Sequence, residues 1–228
     1  TDMPKKLIIV IPFVLFCISC KEYKSDNKDL SKYLSDTRKI TRAGQHKEAL
    51  DRFIWFDDHA LEHQSSLYGA RLTFALSYWK ELADVYPPAM TELKRRRDTK
   101  TEKLMVGHGS KDLFSDVQAL NRTLGDTSKT VELFKHLYYA QRSLANDCWP
   151  IAKETLFAAK EFKFLHNYIR DPLDEFYIIK DDYIDNLTFV KKQRDSKLVN
   201  IFNEEFVERC VLLIQFTLAI YDKQTAIE

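Results

Sequence analysis

Apolar side chains recur along this chain at the three-to-four-residue spacing of an amphipathic helix. Leu30, Tyr33, Leu34, Thr37 and Ile40 fall on one face of a first helix expected over residues 29–42, and Ala49, Phe53, Phe56 and Ala60 form the stripe of a second over 46–62. Leu72, Ala75, Leu76, Trp79, Leu82, Ala83 and Tyr86 make the wide face of a third. A fourth begins at Pro88, whose fixed φ suits a first turn, and reaches about Lys103. Leu113, Phe114, Val117, Leu120 and Leu124 line a further helix ending at Gly125. Another opens around Asp147, Cys148 and Pro150 and carries Ala152, Leu156 and Ala159, with residues 160–169 as its partner. Two longer helices come after Pro172, over 173–195 and 198–222. The last is apolar almost all round from Val211 to Tyr221; it is too short there to cross a bilayer and is expected to be buried as a closing element.

Strand-type alternation is nearly absent and only five glycines occur, so the expected class is all-α. The helix breakers are Gly44, Pro87 with Pro88, Gly107 with Gly109, Gly125, Pro150 and Pro172. One spacing recurs across them. Gly44 is followed five residues on by Ala49 and four beyond that by Phe53, and Gly125 is followed at the same offsets by Thr130 and Phe134. Both segments resemble the centre of a tetratricopeptide repeat, where a turn glycine joins two antiparallel helices and a small residue and an aromatic pack the second onto the first. The resemblance implies antiparallel helical hairpins stacked as a short tetratricopeptide-like α-solenoid over residues 29–170, with C-terminal capping helices over 171–228. Lys160 follows Gly125 by 35 residues, near the family period of about 34. The chain departs from the family in having Lys160 at a glycine position, Phe56 at an alanine position, and 81 residues between Gly44 and Gly125.

Near the start, Lys5 and Lys6 precede a 12-residue apolar run over 7–18, broken only by Pro12, and then Ser19 and Cys20. That is the layout of an export signal over residues 1–19, and it falls short of the roughly 20 residues a membrane span needs. Ser19-Cys20 resembles a bacterial lipoprotein signal, which implies lipidation of Cys20 and anchoring in the bacterial cell envelope; Cys17 stands where such signals usually carry an aliphatic residue. Residues 20–28 are polar and charged, as a tether is.

Charge narrows the function classes. Without residues 1–19, which hold Lys5, Lys6 and Asp2, the 35 basic and 34 acidic residues become 33 of each, a balance unlike that of a nucleic-acid binder. Lys94 to Arg97 form a four-residue basic run, which winds around a helix and reads as a solvated end rather than one basic face. Cys148 and Cys210 are either a disulfide pair or two buried thiols. The glycine loop around Val106 to Ser110 lacks the strand and the Lys-Ser/Thr pair of a phosphate cradle and reads as a linker.

One stretch carries candidate chemistry. His59 to His63 reads HALEH and resembles the H-x-x-E-H of inverted zinc peptidases, implying His59 and His63 as ligands, Glu62 as base and Glu132 as a distant third ligand. The surrounding helix is not the strand-flanked setting of those enzymes, and the favoured reading is a scaffold without cofactor or catalysis that binds a protein or peptide. Trp55, Tyr68 and Arg71, near one inter-helix surface, are the expected partner anchors.

Overall fold

A computed structural model describes residues 29–193 and 196–221. The expected export signal, Cys20 and the tether lie outside these residues. Among the described residues the chain is all-α, without a strand, and no helix is long and apolar enough to cross a membrane. The helices are α1 Leu30–Arg42, α2 His46–His63, α3 Tyr68–Ala70, α4 Leu76–Val85, α5 Pro87–Met105, α6 Lys111–Leu124, α7 Thr127–Ala140, α8 Arg142–Ala158, α9 Phe162–Leu165, α10 Pro172–Gln193 and α11 Ser196–Ile220. A 3-10 turn, Ser65–Leu67, leads into α3, and a π-turn, Arg71–Ala75, joins α3 to α4. Each helix from α4 to α8 packs on its successor, and α4, α5 and α6 each pack also on the next but one.

Four helix ends share one hydrogen-bonded stop. After α1, Gly44 N–H donates to the Thr41 carbonyl at 3.1 Å and Gln45 N–H to that of Ile40 at 3.2 Å. The same pair of bonds closes α5 at Gly107 and His108, α6 at Gly125 and Asp126, and α8 at Lys160 and Glu161. This stop needs a residue in the left-handed region. The three glycines have φ between 76° and 87°, and Lys160 takes φ 55° in their place. The residues beyond the turns are enclosed as the spacing predicts: Ala49, Phe53, Thr130 and Phe134 are buried. After Lys160 the same offsets hold Leu165 and Ile169, also buried.

The glycine loop is accounted for by packing. Gly107 supplies the positive φ. A Cβ on Gly109 would stand 2.6 Å from Leu104 Cδ2, so only glycine lets the loop lie against that side chain. Ser110 then caps α6, its hydroxyl accepting from Leu113 N–H at 3.1 Å.

Two buried clusters run through the molecule. One joins α1, α2, α4 and α5 around Phe53, Phe56, Trp79 and Leu93. The other joins the end of α5, through Leu104, and α6 to α9 with α10 and α11 around Phe114, Phe134, Leu156 and Phe216. Helix α6 belongs to both, giving Ala119 and Leu120 to the first and Phe114 and Val117 to the second.

Three expectations are corrected. Pro150 does not start a helix; α8 passes through it from Arg142. Its ring lies on the exposed side, and the fully buried Ala145, Cys148, Ala152 and Leu156 hold the helix against its neighbours, outweighing the roughly 3 kcal/mol that an interior proline costs. The partner over 160–169 shrinks to α9, four residues long, because Tyr168 leaves the helical path to stack on Trp149 at 4.3 Å with planes 4° apart. Finally, α11 is not enclosed. Leu213, Phe216 and Thr217 are buried, whereas Val211, Ile214 and Leu218 face outward.

Candidate functional site

The basic run of α5 does not behave as a solvated end. Lys94 and Arg95 are exposed, but the rotation of about 100° per residue carries Arg96 and Arg97 into the molecule, where their side chains are 10% and 5% accessible. Arg96 bonds three carboxylates: Asp57 Oδ2 at 2.7 Å, both oxygens of Asp58 at 2.6 and 2.9 Å, and Glu92 Oε1 at 2.9 Å. Arg71, from the π-turn, donates to Asp57 Oδ1 at 3.0 Å and pairs with both oxygens of Asp116 on α6. Lys100 completes the layer on Asp116. Arg97 lies beside it, held by Asp98 and Asp126.

Electrostatics favour the charged forms of Asp58, Glu92 and Arg96. The Arg96 hydrogen bonds hold the Asp58 carboxyl below the usual carboxylate range, and those of Arg95, then Arg96, do the same for Glu92. Burial alone would lower the Arg96 pKa, but Asp58 and Asp57 more than offset it, leaving it above the ordinary arginine value. Arg71, Arg96 and Lys100 with Asp57, Asp58, Asp116 and Glu92 form one ion-paired layer. It ties α2, the π-turn, α5 and α6 together, and each of its three cations is already matched by a carboxylate.

The expected anchors separate accordingly. Arg71 is buried in the layer. Tyr68 is half-buried, its ring centre 5.8 Å from the Arg71 guanidinium. Trp55 turns toward α1, its ring 5.1 Å from that of Tyr33.

Above the layer, the π-turn presents a different set of residues outward. A π-turn adds one residue to the helix and so rotates every later side chain about the axis. Arg71 points in, while Phe74 stands 62% exposed. Leu72, Thr73 and Phe74, with Ser77, Lys80, Glu81 and Asp84 on α4 and Arg122 and Thr123 on α6, border an open groove of about 610 Å³. Its charged walls are largely self-paired: Glu81 takes Arg38 from α1, and Lys80 pairs with Asp84. Arg122 donates to the Leu72 carbonyl at 3.3 Å, which fixes the groove's far wall to the π-turn.

The histidines of HALEH sit on the last turn of α2. His59 Nδ1 lies 3.0 Å from Glu62 Oε2, and both imidazoles pack 5.7 Å from the Trp55 ring. Glu132 lies elsewhere, bordering a 250 Å³ cleft between α5 and α7 with Arg97 and His136. Among the described residues, no three His, Cys, Asp or Glu side chains gather in a metal-holding group. Cys148 and Cys210 are both free thiols, and burial pushes that of Cys148 up to about 12.

No protein-family model, curated protein or solved structure matches the chain. The groove and the layer beneath it are therefore argued from their own geometry. Sequence reasoning missed both. The one signal for the layer was the unusual density of charge in Asp57-Asp58 and Lys94 to Arg97, which pattern alone assigns to solvent.

Proposed function

We propose that the protein is an exported, lipid-anchored helical-repeat scaffold that binds a protein or peptide segment and does no catalysis itself. Packing of α4, α5 and α6 each on the next helix and the next but one, with the shared stop at Gly44, Gly125 and Lys160, supports stacked antiparallel hairpins in a short tetratricopeptide-like α-solenoid. The reading is carried by the groove along α4 and α6. It is open rather than enclosed, it is built on alternate helices, and the exposed Phe74 ring and the Leu72 side chain give it an apolar floor between polar walls. A peptide laid along it would bury Phe74 and find hydrogen-bonding groups in Ser77, Thr73 and Arg122. Cys20 would confine that surface to a membrane face.

A photo-reactive amino acid placed at Ser77 in cells tests this. We expect a discrete cross-linked partner that is lost when Phe74→Ala is added and is not captured from Lys94, on the exposed face of α5. Equal capture from both positions would reject the groove. Stoichiometric zinc in the purified protein, removed by His63→Ala, would overturn the non-catalytic part of the reading.

A further inference from the structure

Helix α11 leaves an ordered apolar stripe bare. Leu213, Phe216 and Thr217 turn inward, and the helix rests on α8, α9 and α10. On the opposite side, Val207, Val211, Ile214 and Leu218 are each about half exposed. Their spacings are four, three and four residues. This is the seam spacing of a two-stranded coiled coil, and it reads the same from either end.

Charge along the helix is segregated. Between residues 198 and 220 the charged side chains are Glu204, Glu205, Glu208 and Arg209, all in the first half. Arg209 is turned inward onto Asp182 at 2.9 Å and Glu154 at 3.4 Å. Glu204 and Glu208 each precede a stripe residue, Val207 and Val211, by three positions and so flank the seam. The half from Cys210 to Ile220 has no charge.

We propose that this face pairs with a second copy of the chain, α11 against α11, antiparallel about a two-fold axis passing between Val211 and Ile214. Val207 then meets Leu218 of the second copy and Val211 meets its Ile214, so the palindromic spacing satisfies every stripe residue twice over. The acidic half of each helix lies against the uncharged half of the other. A parallel pair would set Glu204, Glu205 and Glu208 against themselves. A bilayer surface fits less well, because interfacial helices flank their apolar face with Lys and Arg, whereas this one is flanked by glutamates. A seam of two heptads is short for a stable interface, so dissociation in the micromolar range is expected.

Sedimentation velocity of the full chain from about 1 to 100 µM brackets that range. A concentration-dependent dimer is expected, weakened at least about tenfold by Ile214→Asp and unaffected by Val85→Asp, an exposed apolar position outside α11. Both positions face solvent, and unchanged far-ultraviolet circular dichroism shows that the variants fold. Orientation is read by oxidative cross-linking. A mixture of Val207→Cys and Leu218→Cys chains should cross-link above the unsubstituted chain, whereas Val207→Cys alone, with its two thiols offset by roughly 16 Å along the helices, should not. A monomer at every concentration, a dimer indifferent to Ile214→Asp, or cross-linking of Val207→Cys with itself would each overturn the proposal. So would a chain that stays monomeric but floats with zwitterionic vesicles through an interaction lost in Ile214→Asp, which would assign the stripe to a bilayer.

Discussion

Arg96 holds three carboxylates at once, Asp57 and Asp58 from α2 and Glu92 one turn back on its own helix. Removing it leaves Asp57, only 11% accessible, without one of its two arginines, and breaking such an enclosed pair costs about 3–5 kcal/mol. Arg96→Gln should lose about 3 kcal/mol of stability at pH 7, read from urea unfolding. The same variant should respond less to acid. Asp58 and Glu92 have folded pKa values below their unfolded ones, so the stability they supply is present above about pH 5 and is lost as pH falls through the folded values. Arg96→Gln removes the main cause of the Asp58 shift, although Glu92 keeps Arg95. Between about pH 5 and 3 its unfolding free energy should therefore decline less steeply than that of the unsubstituted protein. An equal slope would show that Arg96 does not set the titration of Asp58.

At the scale of elements, the stop after α8 places lysine where three other helices use glycine. A side chain at φ 55° crowds the adjacent carbonyl, at a cost of about 1 kcal/mol, while both stop bonds still form at 2.8 and 3.0 Å. Lys160→Gly should therefore be stabilising, raising the thermal midpoint by about 2–4 °C for a domain of this size. A fall would mean that the added flexibility of the unfolded chain outweighs the relieved strain. The α8 stop was legible in part: the spacing marked position 160 as a turn, and the structure adds that lysine adopts the glycine conformation. The π-turn was not legible. Nothing in the apolar spacing of residues 65–86 marks one extra residue, yet that residue turns Arg71 inward and leaves Phe74 in the groove.

At the scale of the molecule, α6 contributes to both buried clusters, as α5 does through Leu93 and Leu104, and the charge layer fastens α6 to α2 and the π-turn through Asp116. Neither half can lose its core without exposing part of α6. Unfolding is expected to be one cooperative transition, with fluorescence and far-ultraviolet circular dichroism giving the same midpoint, since Trp79 reports on the first cluster and Trp149 on the second. If a chain with Trp55→Phe and Trp79→Phe, which reports only through Trp149, and a Trp149→Phe chain, which reports only on the first cluster, show different fluorescence midpoints with unchanged circular dichroism curves, the halves melt separately.

The sequence by itself determined what depends on local period and backbone freedom: an all-α chain, the turns at Gly44, Gly107 and Gly125, and the burial of Ala49, Phe53, Thr130 and Phe134. These features rest on 3.6-residue geometry and on the rarity of positive φ, both readable within a dozen residues. Tertiary structure decided which polar groups are inside. Arg71, Arg96 and Asp116 become interior only because carboxylates and guanidiniums from segments up to 45 residues apart meet in ion pairs, which no local pattern encodes. It likewise decided which apolar groups are outside. Val211, Ile214 and Leu218 are as apolar as Leu213 and Phe216, but a helix lying on one side of the body has a single face to bury, and the fold leaves the other exposed.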